Sequence, residues 1–268
     1  MPTKIARIIF SLVFFGFIVA LGISTFFNSQ SGPSVDSPLY NENENSEDAP
    51  KGDFFQWPAK LEDEKKIVTI EKRGAKNYYI VFDGSGSMFG RECGEREKIL
   101  VAKDVVSGFV DKIPKDANIG IAAFDSRGLA ERAPLSGDNK DKVVNAIKSI
   151  QAAGETPLKS SISLAANKLA KQAAYQMGYG EYHLVIVTDG EASSGEEPLD
   201  IVNALLSHTP IVIHTVGFCI SDNHSLNQKG RILYRSASNA QELERGLDDI
   251  LAESESFGDG TDDWGDWK

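Results

Sequence analysis

The sequence predicts an α/β fold: a doubly wound, mostly parallel sheet flanked by helices on both faces and preceded by one transmembrane helix. Two observations predict the sheet. Across residues 66–252 short continuous apolar runs alternate with helical stripes. Most of the runs are rich in Ile and Val, as strands buried on both faces are. The transmembrane helix rests on a third: residues 8–27 carry no charge, and a helix of that length spans roughly 30 Å, the thickness of a bilayer core.

The apolar runs lie at residues 78–82, 119–124, 184–187 and 211–218. Between them, the spacing of Ile99, Ala102, Val106, Phe109 and Ile113 predicts an amphipathic helix over 98–113, ended by Pro114. Val143, Ile147 and Ile150 mark another helix. A third starts after Thr156, with Pro157 in the first turn where its missing N–H costs nothing, and continues through Leu158, Ile162, Ala165 and Leu169. Leu243, Leu247 and Leu251 form a last stripe. In such a sheet, ligands bind at the carboxyl ends of the strands.

The appendages differ in composition from this domain. Lys4 and Arg7 precede the apolar run at 8–27, and the first charges after it are acidic (Asp36, Glu42, Glu44). The positive-inside rule therefore places residues 1–7 in the cytoplasm and the bulk outside, in the periplasm of a Gram-negative cell. A cleaved signal peptide is the competing interpretation. Against it, the run exceeds a usual signal core and no clean small-x-small site follows. Neither Cys93 nor Cys219 lies near the segment, so it offers no cysteine for a lipid anchor. Residues 28–65 read as a flexible tether, with a stretch at 41–48 too polar to bury. Its aromatic cluster, Phe54, Phe55 and Trp57, is expected to pack onto the adjoining domain. Residues 253–268 interleave acids with Phe257, Trp264 and Trp267, giving either a solvated acidic tail or a peptide for a partner's basic groove. The formal charge of −11 argues against nucleic acid as a partner, because counterion release needs clustered Lys and Arg.

The chemistry concentrates where strands end. The run at 78–82 leads into Asp83-Gly84-Ser85-Gly86-Ser87, one carboxylate and two hydroxyls on a tight loop whose glycines let the backbone fold around a small ion. A second buried run ends in Thr188-Asp189-Gly190, setting another carboxylate at the same edge. Oxygen donors suit Mg²⁺, with Mn²⁺ or Ca²⁺ as alternatives, whereas sulfur or imidazole would indicate zinc. The histidines His183, His208, His214 and His224 share no metal-ligand spacing and read as strand or surface residues.

Asp83-Gly84-Ser85-Gly86-Ser87 resembles the Asp-x-Ser-x-Ser motif of the von Willebrand factor type A family. Gly154-Glu155-Thr156-Pro157-Leu158 resembles that family's threonine loop, and Thr188-Asp189-Gly190 its aspartate segment. The resemblance implies a metal-ion-dependent adhesion site formed by Asp83, Ser85, Ser87, Thr156 and Asp189. It also implies an open coordination position for an acidic side chain of a protein partner, in an adhesion, scaffold or assembly role rather than in catalysis. Cys219 departs from many bacterial relatives, whose fifth strand ends in a glycine-containing turn. A Cys93–Cys219 disulfide is conceivable, but the family's strand order sets the two strands roughly 10 Å apart, against the ~7 Å limit for bridged Cα atoms. Only a loop excursion closes that gap.

Enzymatic alternatives fail at identifiable positions. A haloacid-dehalogenase-type phosphotransferase, the metal-dependent phosphate-ester hydrolase to weigh, needs a second aspartate where this chain has Ser85. The serines lack a Gly-x-Ser-x-Gly elbow, and no Gly-Lys-Ser/Thr follows Gly84 or Gly90 as a P-loop requires. A structural role beside a chaperone-type ATPase, as in some bacterial relatives, stays open.

Overall fold

Each apolar run is a strand of one six-stranded sheet. The computed structural model describes residues 56–60, 70–220 and 222–258. In chain order these form α1 (Ile70–Arg73), β1 (Lys76–Asp83), a 3₁₀ turn (Gly86–Phe89), α2 (Lys98–Lys112), β2 (Asn118–Asp125), β3 (Gly128–Ser136), α3 (Lys140–Ser149), α4 (Leu158–Tyr175), β4 (Glu181–Thr188), α5 (Leu199–His208), β5 (Val212–Phe218), β6 (Leu233–Ala237) and α6 (Ala240–Gly258). The strand order is β3-β2-β1-β4-β5-β6. Only the β2–β3 pairing is antiparallel.

Alternation along β1 divides the core. Tyr78, Ile80 and Phe82 face one apolar cluster with α2, α3 and α6, while Tyr79 and Val81 face the other with α4 and α5. Burial of such side chains contributes about 1.5–3 kcal/mol each. That fixes β1 at the centre of the sheet and its last residue, Asp83, at the middle of the carboxyl edge.

Several elements differ from the expectation in detail. Ile113 caps α2 instead of closing it, and Pro157 stands at the N-cap of α4, one position before the expected first turn. The buried stripe of α6 is Leu243, Leu247 and Ile250; Leu251 is only partly buried. This helix continues past Leu251 to Gly258, and the buried Ser254 meets the Tyr78 hydroxyl at 2.7 Å. Trp57 packs edge-on against Tyr182 at 4.8 Å, and Ala59 N–H donates to Ala170 O, as expected of an attachment point. Phe54, Phe55, the apolar segment at 8–27 and the tail from residue 259 lie outside the described residues. Among the described residues no helix is long and apolar enough to cross a membrane.

Two of the histidines form a buried pair inside the sheet. His183 Nδ1 lies 3.2 Å from His214 Nε2, with the Tyr78 ring stacked on His183. Burial, reinforced by repulsion from His183, pushes His214 down to about 3 from an ordinary 6.5. Burial also lowers His183, against the pull of Glu181. The unfolded chain therefore takes up protons below 6.5 that the folded chain refuses until about 3. The histidine pair's contribution to stability is complete above 6.5 and declines as pH falls, by about 1.4 kcal/mol per pH unit for His214 alone. Replacing His214 with Gln is expected to remove about 2 kcal/mol of the loss between about pH 7 and about pH 5. Urea titrations of both proteins at the two pH values check this, and equal losses would contradict it.

Candidate metal centre

Asp83 is fully buried at the end of β1, and both its oxygens are held. Oδ1 accepts the Ser85 N–H at 2.8 Å, and Oδ2 accepts the Thr188 hydroxyl at 2.6 Å from the end of neighbouring β4. The chain then folds against the loop after α3. Gly84 N–H donates to Phe124 O, Ala153 N–H to Gly84 O, and Gly86 N–H to Gly154 O, each at 2.9–3.0 Å. A Cβ at Gly84 would stand 2.7 Å from Ile150 Cγ2 and 2.8 Å from Phe124 O, so only glycine fits there.

The 3₁₀ turn sends Met88 into the core and leaves Ser87 exposed. Ser85 Oγ lies 3.0 Å from Ser87 Oγ, whose hydroxyl donates to Asp189 Oδ1 at 2.7 Å. Thr156 is fixed by its backbone, with N–H donating to Ser193 Oγ and O accepting Ser193 N–H. Its hydroxyl faces the bare Cα of Gly190: a Cβ there would lie 4.0 Å from Thr156 Oγ1 and 3.7 Å from Ser87 Oγ. All five residues singled out in the sequence thus meet at one point of the sheet edge, four through a hydrogen-bonded network that Thr188 completes and Thr156 by facing the same glycine.

The electrostatics match a cation. Burial, and then repulsion from Asp189, raise Asp83 to about 6 despite the hydrogen bonds from Ser85 and Thr188. A positive ion between the two carboxylates would offset both causes. Among the described residues no cluster of three or more His, Cys, Asp or Glu could hold a metal; this site offers two carboxylates and three hydroxyls instead. Thr188→Val, which takes one donor from the buried carboxylate, is expected to cost about 1–3 kcal/mol, read from the urea midpoint.

The family model for the von Willebrand factor type A domain matches residues 77–246. The chain belongs to that family. Within it, the VWA domain is similar to the uncharacterized protein YwmD of Bacillus subtilis (strain 168), 28% identical over an alignment of 197 residues that covers 65% of this chain and 84% of YwmD. Among solved structures it is similar to BatB from Bacteroides thetaiotaomicron, at a TM-score of 0.54 and 15% identity, covering 68% of this chain and all of that one. It also resembles proximal thread matrix protein 1 from the mussel byssus, solved with a zinc-occupied MIDAS motif, at a TM-score of 0.52 and 16% identity, covering 66% of this chain and 47% of that one.

Around these five residues the VWA domain places two more: Lys98, to which the sequence assigned no role, and His224, which it suggested as a strand or surface residue but which is buried in a loop. His224 Nδ1 accepts Leu226 N–H, so its Nε2–H donates to Gly190 O at 2.9 Å and steadies the aspartate loop. Lys98, at the start of α2, is buried to 7% side-chain exposure, with Nζ 2.6 Å from Asp189 Oδ2 and 3.2 Å from Glu92 Oε2. Burial disfavours its charge, but pairing with Asp189 and Glu92 outweighs this and raises its pKa. A signal for Lys98 existed: it heads the buried stripe Lys98, Ala102, Val106, Phe109, where lysine is out of place.

The cysteines are bonded, with Cα atoms 5.8 Å apart. The strand separation that spoke against this holds in the sheet, since β4 lies between β1 and β5. The segment after the 3₁₀ turn carries Cys93 across β4. Cys219 adopts φ +64°, the left-handed region that favours glycine.

Proposed function

We propose that this VWA domain binds a divalent cation, Mg²⁺ or its near equivalents Mn²⁺ and Ca²⁺, and through it an acidic side chain of a protein partner. Its role is adhesion, scaffolding or complex assembly, on a membrane tether formed by residues 8–27 and the segment that follows. The convergence of Asp83, Ser85, Ser87, Thr156 and Asp189 on one point carries this proposal. These hard oxygen donors suit such ions, and the zinc-occupied MIDAS of the mussel protein supports a divalent ion in this position.

When bound, the ion supplies an electrophilic centre with a coordination position for a partner's carboxylate. The chain's own residues do the rest. Asp83 holds the loop through Ser85 N–H and would gain its compensating charge from the ion. Ser85 and Ser87 present hydroxyls that bond to each other and to Asp189, and among the described residues no histidine is bonded to either of them to act as a base. His224, the histidine at this edge, donates to a backbone carbonyl instead. This supports binding over nucleophilic catalysis.

The test is capture of partners from a membrane extract by the full chain in detergent, with Mg²⁺ or with chelator. A partner retained in Mg²⁺, released by chelator and lost after amidation of its carboxylates is the expected result. A partner equally retained in chelator would assign binding to another surface.

A further inference from the structure

The buried ammonium of Lys98 faces two carboxylates of opposite character. Asp189 is fully buried, and Ser87 already occupies its Oδ1, leaving Oδ2 to Lys98 at 2.6 Å. Glu92, 3.2 Å away on the other side, is two-thirds exposed. Its side chain folds over Gly90, where a Cβ would collide with both carboxylate oxygens, so the glycine is what lets Glu92 reach back to Lys98. The segment between them is short and held at both sides, by the Cys93–Cys219 bond and by Lys98 N–H donating to Gly90 O at 2.8 Å. Lys98 thus has an inner and an outer acceptor within one ammonium's reach.

We propose that Lys98 is a tethered counter-ion of the metal centre, which an incoming divalent cation displaces from Asp189 onto Glu92. The proposal rests on the metal-binding function above and adds how that site is regulated. Lys98 and the ion share the Asp189 carboxylate. A dication beside that buried carboxylate repels the buried ammonium strongly, while Glu92 offers the ammonium a solvated partner without a large movement. Lys98 therefore acts as a positioning and tuning residue: it fixes Asp189 and sets a threshold that an incoming divalent ion overcomes.

Mn²⁺ serves as the probe, with free ion counted by electron paramagnetic resonance on the full chain in detergent. Lys98→Met is expected to bind Mn²⁺ about tenfold tighter than wild type, and Lys98→Arg, which keeps the charge, within about threefold of it. Glu92→Gln is expected to weaken Mn²⁺ binding severalfold, and that effect should vanish in the Lys98→Met background. A second readout needs no variant: reductive methylation of Lys98 in the wild type, followed by peptide mass spectrometry, should accelerate severalfold with Mg²⁺. Unchanged or weaker Mn²⁺ binding in folded Lys98→Met, or a methylation rate indifferent to Mg²⁺, overturns the proposal while leaving metal binding intact. Failure of wild type and Lys98→Met alike to bind Mn²⁺ overturns both.

Discussion

Asp83→Asn is expected to lose at least about a hundredfold in divalent-ion affinity while the protein without metal becomes more stable at neutral pH. The two effects have one origin. In the folded protein Asp83 titrates at about 6, against an ordinary 3.8, mainly because it is buried. An acid raised in this way binds more protons folded than unfolded between the two values. Its contribution to stability is therefore greatest below 3.8 and diminishes as pH rises to 6, so at pH 7 its charge costs roughly 2–3 kcal/mol. Asparagine has the same shape and no charge. Its carbonyl can accept the Ser85 N–H, and its amide can donate to Thr188 Oγ1, whose own proton is free to turn to Gly190 O, 3.1 Å away. Thermal unfolding with and without millimolar Mg²⁺ separates the effects: wild type should shift upward with the ion, and the variant should start higher and not shift. A variant that is less stable than wild type at pH 7 without metal, or that still responds to Mg²⁺, contradicts this account.

Removal of the disulfide is expected to have a comparable effect on stability alone. Cys93 and Cys219 are 126 residues apart, and in the chain-entropy model closing a loop of that length stabilises by about 5 kcal/mol, with measured values commonly lower, near 2–5. The Cys93→Ser, Cys219→Ser protein should unfold at a lower urea concentration by a corresponding amount. Part of that loss is recoverable. Cys219 holds φ +64°, so glycine at 219 in place of serine should restore about 1 kcal/mol. A Ser–Ser protein as stable as wild type under oxidising conditions would show that the bond constrains little.

The elements legible in the sequence were those buried on both faces. β1, β2, β4 and β5 are continuous apolar runs because helices cover them above and below, and α2, α3, α4 and α6 show stripes because each covers the sheet. β3 and β6 escaped because they are edge strands. β3 carries Glu131, Arg132 and Pro134 and buries little more than Ala133, while β6 buries only Ala237. In the candidate site, the five oxygen-bearing residues could be read from the sequence because each follows a strand or precedes a helix. What surrounds them was harder to see: Lys98 stands out only as a lysine heading a buried stripe, and His224 reaches Gly190 from 34 residues away. The disulfide was hidden because its feasibility depended on the path of one loop over β4.

Diffraction from crystals of the protein soaked in Mn²⁺, recorded where manganese scatters anomalously, tests whether a cation binds at this edge. One strong anomalous peak is expected at the carboxyl edge of the sheet, within coordination reach of Ser85 Oγ and Ser87 Oγ and adjacent to Asp83, Thr156 and Asp189. No peak there, or a peak only at the His183–His214 pair, would contradict it.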